Sequence, residues 1–307
     1  MPPNAQVGIV IVNYNGFPFI RECLGSLTKI DYAEVQIVIV DNASSDGSPE
    51  WIAQDCPEAQ IIKLSENLGF SGANNVGIRW CVTNKCEYVL LLNNDTVVEP
   101  DFLSRIMDHA GQRYMIVPKI YCYYNRELVN SSIGDFDFWR GITIPWFYGE
   151  KDSKRSQQEQ QVNMASACAI LISRYAFTQV GLLDEKFFLY WEDTDFIVRA
   201  IHQGFVIKFV PQAVVYHKES SSSGGRASLL ATYYNNRNRL YFMYKHQKNI
   251  VMLIFFLIYY FLGRCAYIIS YVLGWQGPKI KALSLGIIDF YRGKMGIVAA
   301  ERYKDLR

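Results

Sequence analysis

Four times before residue 102, a run of aliphatic residues stops on Asn, Asp or Gly. Val7 to Val12 leads into Asn13, Tyr14 and Asn15. Val35 to Val40 leads into Asp41 and Asn42, then Ser44, Ser45, Asp46 and Gly47. The segment from Ala59 leads into Asn67, Gly69, Phe70, Gly72 and Asn75, and Tyr88 to Leu92 leads into Asn93, Asn94 and Asp95. The near-continuous β-branched run Val35, Ile37, Val38, Ile39, Val40 is the pattern of a strand covered on both faces. Between the runs the pattern predicts helices near 17–29, 48–55, 69–83 and 100–110. Strand alternating with helix is a βαβ series, so the sheet begins parallel, and right-handed crossovers bring the four strand ends to one edge. In an open α/β sheet that edge is where ligands sit.

Residues 114–160 lack a sustained period and are rich in Tyr, Trp and polar residues, so this region reads as irregular, with SKRSQQEQQ (153–161) as an exposed loop. NMASACAILISR (163–174) returns to a buried strand. A helix beginning near Asp193 carries VRAIHQG and stops at Gly204. The most apolar segment is Ile250 to Trp275. Its first run, Ile250 to Leu262, covers about 20 Å as a helix, short of the ~30 Å hydrocarbon core. The whole segment is long enough to span, but Arg264 would then lie mid-membrane, at about 2.5–3.5 kcal/mol on insertion scales. Tyr259, Tyr260, Tyr267, Tyr271 and Trp275 suit an interface. In-plane or re-entrant membrane helices are therefore expected, with a single span and a buried soluble helix as alternatives. Beyond this segment Lys279, Lys281, Arg292, Lys294, Arg302, Lys304 and Arg307 outnumber Asp289, Glu301 and Asp305. That excess either faces anionic lipid or is an ordinary solvated surface. The pattern divides the chain into a domain over 1–245 and a helical membrane-associating region over 246–307.

Composition narrows the classes. Half of the 307 residues are hydrophobic, enough for one large α/β domain with an appendage. A net charge of +2 argues against nucleic acid as a partner. The seven cysteines, Cys23, Cys56, Cys81, Cys86, Cys122, Cys168 and Cys265, show no zinc spacing and are odd in number, which suits core thiols in a reducing compartment. The first strand starts almost at once, so no signal peptide is expected, and the sequons at Asn42, Asn94 and Asn130 read as chance matches.

Seven motifs follow one another in order: NYNG, DNASSDGS, ENLGFSGANNVG, LLNNDT, FFLYWEDTDFIVRA, VVYHKESSS and YYNNRNR. This set resembles the inverting glycosyltransferases of family 2, and most of all their rhamnosyltransferase-like members that act on bacterial surface polysaccharides. The resemblance covers roughly residues 7–245. It implies an α/β GT-A (Rossmann-like) fold: a mixed, mostly parallel sheet with helices on both faces, here with a C-terminal apolar helical appendage.

The resemblance also assigns roles. Asp41 would accept from a pyrimidine N3–H, with Asn13, Tyr14 and Asn15 beside the base and Asn67, Gly69, Gly72 and Asn94 close to the nucleotide. The alternative is that Asp41 and Asp46 merely cap the next helix. Mg²⁺ or Mn²⁺ would be held at Asn93-Asn94-Asp95. That motif has Asn at its first position, which leaves Asp95 as its carboxylate, with His217 completing the site. Glu192, Asp193 and Asp195 crowd a helix start, where the dipole favours them while mutual repulsion raises at least one pKa. Such a group suits a general base, and by resemblance the base is Asp193, supported by Glu192 and Asp195. Tyr190 and Trp191 could offer a platform to a sugar face. Arg237 and Arg239, and more weakly Arg226, would meet the donor diphosphate or a lipid-pyrophosphate acceptor, or else start a solvated helix.

The implied activity is metal-dependent, inverting transfer of a sugar, first of all rhamnose from dTDP-rhamnose. The acceptor would be a polyprenyl-diphosphate-linked saccharide at the cytoplasmic face of the cell membrane. A processive polysaccharide synthase would carry Gln-x-x-Arg-Trp and several long spans, and neither is found. A non-catalytic nucleotide-sugar-binding scaffold would have lost Asp95 or the acidic cluster, and both are present.

Overall fold

The computed structural model describes residues 5–130, 133–218 and 228–298. The chain opens with β1 (Val7–Asn13), α1 (Phe17–Leu27), β2 (Val35–Asp41), α2 (Ser48–Asp55), β3 (Gln60–Lys63), α3 (Gly69–Thr83) and β4 (Tyr88–Leu92). Next come β5 (Thr96–Val98), α4 (Phe102–Asp108), β6 (Tyr114–Cys122), β7 (Ile133–Asp137), β8 (Ile142–Pro145), β9 (Gln160–Val162) and β10 (Met164–Ala165). The remainder is β11 (Ala169–Ser173), α5 (Arg174–Val180), α6 (Glu192–His202), β12 (Val206–His217), α7 (Leu229–His246), α8 (Ile250–Leu273) and α9 (Gly277–Tyr291).

The main sheet runs β3-β2-β1-β4-β11-β6-β12-β5, with β9 also on β12. β3, β2, β1 and β4 are parallel neighbours, and β12 is parallel to β6. β11 lies antiparallel between β4 and β6, and β5 runs antiparallel to β12. Alternate residues of β1 feed two cores, as a strand's period of two requires. Ile9 and Ile11 pack with α1 and α4 on one face, while Val10 packs with α3 and α6 on the other. A small second sheet, β10-β7-β8, sits beside the main one.

Two differences from the expectation have local causes. Residues 114–160 are not irregular throughout, because β6 is a buried interior strand. Pro118 and Lys119 interrupt its apolar run and hide the pattern. Pro118 pairs opposite Val210, where β12 bulges between Val210 and Val214, and a bulge is where a sheet tolerates proline. The second difference is α8, one unbroken helix, long and apolar enough to cross a membrane. Arginine is a good helix former, so the helix runs on through Arg264, whose Nη1 donates to Asn236 Oδ1 of α7 at 2.6 Å. Phe256 and Tyr260 of α8 are buried in the same seam, while Ile258 (57 % exposed) and Leu262 (68 %) face outward. α9 lies so close to α7 that a Cβ at Gly286 would come within 2.5 Å of Tyr233 O. The basic residues Arg302, Lys304 and Arg307 and the loop candidate Arg226 fall outside the described residues.

Candidate active site

The parallel strand ends are tied together by buried polar side chains. Asn13 Nδ2 donates to Asp41 Oδ1 (3.2 Å) and Ser48 Oγ (2.7 Å), and Asn13 Oδ1 accepts from Asn94 Nδ2 (3.1 Å). Asp41 also accepts from Ser44 N at 3.1 Å and is only 2 % exposed. Asn13 and Asp41 therefore lie beneath the crevice, not on its wall. Asn15, in the left-handed region at φ 48°, stitches the adjoining turn: its N donates to Ser44 Oγ and its Oδ1 accepts from Ser45 N. Asp46 accepts from Phe17 N and Ser48 N at the starts of α1 and α2, which is the capping role.

Above these ties opens a cavity of about 480 Å³. Tyr14, Asn67, Gly69, Asn94, Asp95, His217, Glu192 and Asp193 all line it. Asn42, which the motif reading passed over, organises the turn after β3: it accepts from Leu68 N at 2.8 Å and donates to Asn67 Oδ1 at 2.9 Å. Gly69 has φ +73°, and a Cβ there would lie 2.3 Å from Phe188 O, so glycine is required where this turn meets the opposite wall. Gly72 is away from the cavity wall, packed inside α3 against Leu68.

Asp95 and His217 meet because β5 pairs with β12. The register sets His217 opposite Thr96, and Lys218 N donates to Asp95 O at 3.0 Å. His217 Nε2 lies 3.2 Å from Asp95 Oδ1, off the line of a hydrogen bond, and this buried nitrogen has no hydrogen-bond partner. Burial opposes protonation of His217, but the neighbouring Cys168 and Asp95 outweigh it and raise its pKa well above the usual value. A carboxylate facing an orphaned imidazole nitrogen suits a divalent cation, which prefers oxygen and keeps several waters. Among the described residues no group of three or more His, Cys, Asp and Glu side chains is arranged to hold an ion. The site fits a metal held by two protein ligands, with substrate oxygens and water completing its shell.

The third wall is the segment before α6. Phe188, Tyr190 and Trp191 have φ of 64°, 66° and 78°, unfavourable for bulky residues. α7 holds them there. Asn238 Nδ2 is within 2.8–2.9 Å of the carbonyls of Phe187, Leu189 and Tyr190. Trp191 Nε1 donates to Asn235 Oδ1 at 3.1 Å, and Asn235 itself lines the cavity. Asp193 accepts from Thr194 N (2.7 Å) and Ala167 N (3.2 Å), yet burial raises its pKa. Glu192 is buried with Oε2 unpartnered, and burial, then the charge of Asp193, pushes it well above the ordinary carboxylate range.

Three further assigned residues stand away from the cavity. Arg237 is 0 % exposed and donates to Gly296 O (2.7 Å) and Phe187 O (3.0 Å). Arg239 donates to Arg140 O at 2.6 Å. Neither lines the cavity: Arg237 is turned onto the carbonyls of Gly296, Lys186 and Phe187, and Arg239 lies over Phe256 and Tyr260 of α8. Asp195 points from α6 to α7, pairing with Lys245 (2.6 Å), His246 (2.7 Å) and Arg199 (2.8 Å). Burial opposes its ionisation, but His246, Arg199 and Lys245 hold its pKa at about 2. It braces the acidic helix and does not face the cavity.

The sheet order, the strand-end cavity and the aspartates on two of its walls define a GT-A glycosyltransferase fold. Residues 8–181 match the pattern of Glycosyl transferase family 2, and the chain belongs to that family. It is 29 % identical over 202 residues to the low-salt glycan biosynthesis hexosyltransferase Agl10 of Haloferax volcanii, covering 64 % of this chain and 61 % of that protein. It is 27 % identical over 235 residues to an N-acetylglucosaminyl-diphospho-decaprenol L-rhamnosyltransferase of Mycobacterium tuberculosis, covering 68 % of this chain and 75 % of the relative. A solved structure of GalNAc-T7 with UDP, GalNAc and Mn²⁺ superposes with a TM-score of 0.59 at 15 % identity, over 77 % of this chain and 48 % of the other. At that identity the likeness is one of fold. The chain thus spans less than two thirds of the length of Agl10 and about half that of GalNAc-T7.

Proposed function

We propose that this protein transfers a sugar from a nucleotide-sugar to a saccharide acceptor with inversion at the anomeric carbon. The observation that carries the reading is one cavity lined both by Asp193 and by the Asp95–His217 pair. Asp193, its pKa raised by burial, takes the proton of an acceptor hydroxyl. The hydroxyl oxygen attacks the anomeric carbon from the side opposite the nucleotide diphosphate, whose C–O bond breaks. Glu192, favoured as the neutral acid, donates a hydrogen bond into the cavity. Asn42, Asn67 and Gly69 hold the turn against which the nucleotide lies. A divalent ion, Mg²⁺ or Mn²⁺, held by Asp95 and His217 would neutralise the leaving diphosphate.

The name of the mycobacterial relative supports rhamnose as the first sugar to test, offered as dTDP-rhamnose, and a lipid-diphosphate-linked saccharide as acceptor. Membrane contact falls to α8. Its Phe256, Tyr260 and Arg264 face α7, a helix that carries buried Arg and Asn and cannot enter hydrocarbon cheaply. This favours α8 lying in the interface at the cytoplasmic face, exposed side in the lipid. The test is the purified protein with a panel of nucleotide-sugars and Mn²⁺ or Mg²⁺, scored by release of the nucleoside diphosphate and by the anomeric configuration of the product. No turnover with any donor, or retention of configuration, overturns the proposal.

A further inference from the structure

We infer that Arg239 and Arg264 form a binding site for the phosphoryl group of a lipid, one helical turn along α7 from the rim of the cavity. The inference rests on the reading that the acceptor is lipid-linked. Arg239 lies over the rings of Phe256 and Tyr260 at 5.7 and 5.2 Å, and Arg264 over Tyr260 and Tyr267 at 5.0 and 4.7 Å. Both contact the ring of Tyr260, so the two like charges lie near one another, and the charge of Arg264 bears on Arg239. Each has a buried Nε with no hydrogen-bond partner. The acceptors they do have are neutral, Arg140 O for Arg239 and Asn236 Oδ1 for Arg264. The carboxylate on the nearby hairpin, Asp137, is already paired with Arg140 at 2.6 Å. Among the described residues no carboxylate forms an ion pair with Arg239 or Arg264.

Arg239 is only 8 % exposed. Burial and then the charge of Arg264 lower its pKa to about 10, so it stays charged at neutral pH. Two guanidinia in one partly buried place with neutral partners leave charge uncompensated, and a phosphate supplies both the charge and the acceptor oxygens that arginine forks match.

The position selects a lipid. Asn235, at the cavity wall, precedes Arg239 by four residues on the same face of α7, about 6 Å along the axis. The β7–β8 hairpin spans the same gap, with Thr143 and Pro145 at the cavity and Arg140 O on Arg239. Arg264 is borne by α8, whose exposed side is apolar. A phosphoryl group here would have a hydrocarbon tail on one side and a sugar within reach of Asp193 on the other.

The test measures binding of the full chain to neutral phosphatidylcholine vesicles, alone, with a polyprenyl diphosphate, or with phosphatidylglycerol at equal headgroup charge. Inorganic pyrophosphate serves as a soluble competitor. Arg264→Gln is the main variant, since Arg264 is partly exposed, and Arg239→Lys is the second because it keeps the buried charge. Arg264→Gln is expected to weaken binding to polyprenyl-diphosphate vesicles about tenfold. Its binding to neutral vesicles, its melting temperature and its affinity for nucleoside diphosphate should be unchanged. An equal loss on phosphatidylglycerol vesicles, or full competition by pyrophosphate, supports the phosphoryl site and assigns its source. Unaltered binding of Arg264→Gln to every probe, or a wild type that does not distinguish phosphoryl from neutral vesicles, overturns the inference. Loss of nucleoside-diphosphate affinity in the variant assigns the arginines to the donor and also overturns it. Donor turnover without any acceptor lipid tests the glycosyltransferase reading separately.

Discussion

Replacing Asn238 with alanine should uncouple the sugar-transfer step from donor binding. Asn238 Nδ2 lies within 2.8–2.9 Å of the carbonyls of Phe187, Leu189 and Tyr190, and so holds the segment carrying Phe188, Tyr190 and Trp191 in the left-handed region. Each such residue is disfavoured by about 1–2 kcal/mol, so the segment relaxes once the clamp is gone. An amide has two N–H groups, so at most two good hydrogen bonds to these carbonyls are lost, together with the one that Asn238 Oδ1 accepts from Arg237 Nε at 3.0 Å. Leaving buried carbonyls unpaired costs about 1–3 kcal/mol each. The expected loss of stability is about 2–4 kcal/mol, read as a lower midpoint in urea. The segment ends at Glu192 and Asp193, and a displacement of about 1 Å at a reacting group costs on the order of 10²-fold in rate. The strand-end ties through Asn13, Asn42 and Asp41 do not involve α7, whereas the turn at Gly69 touches the clamped segment at Phe188 O, which accepts from Phe70 N at 2.7 Å, so donor affinity should fall less than kcat. The assay is steady-state transfer with donor affinity measured separately by calorimetry. A folded Asn238→Ala protein whose kcat stays within a few-fold of wild type refutes the clamp.

Asp193→Asn should lower transfer by ~10²–10⁴-fold while calorimetry shows donor affinity nearly intact; transfer within a few-fold of wild type removes Asp193 from the base role. The raised pKa of Asp193 places the acidic limb of the kcat profile above the range of a free aspartate, because the base must be ionised; a limb at or below the free value contradicts this. Asp95→Ala should abolish the Mn²⁺-dependent part of nucleoside-diphosphate binding, and undiminished metal dependence would place the ion elsewhere. Asp195, held at about 2 by burial-opposing contacts with His246, Arg199 and Lys245, has a depressed folded pKa. Its contribution, on the order of 2 kcal/mol, is present above about pH 4 and lost as pH falls toward 2, so Asp195→Asn should flatten the acid limb of the stability curve. Ile258→Glu combined with Leu262→Glu, both on the exposed side of α8, should move the protein from the membrane fraction to the soluble one without shifting its melting temperature. A double variant that still sediments with membrane argues against α8 as the anchor.

Much of the first hundred residues was legible from pattern alone. The aliphatic runs ending on Asn13, Asp41 and Asn93 are β1, β2 and β4, and the predicted helices 48–55 and 69–83 match α2 and α3 to the residue. Local signals suffice there because a doubly covered parallel strand needs an unbroken apolar run, and a polar stop marks its exit to the ligand edge. The family resemblance carried by the ordered motifs, not the pattern itself, pointed to Asp95, Asp193 and His217, which share one cavity. What periodicity hid was β6, because a proline opposite a bulge in β12 breaks the run, and only the partner strand makes that proline tolerable. The sense of YYNNRNR was hidden too. Arginines in a motif read as phosphate ligands, but which way each guanidinium points depends on the helices that cover α7. Arg237 was turned inward onto the 186–187 carbonyls, while Asn238, unremarked in the sequence, became the clamp on the strained segment. Asp195 shows the same limit: three neighbouring carboxylates look alike along the chain. A helix of 3.6 residues per turn sends Asp193 to the cavity and Asp195 to Lys245 and His246, more than 49 residues away along the chain. Strand order and polar stops are local and can be read from residues in sequence, whereas the partner of a buried charge is set by the packing of distant elements.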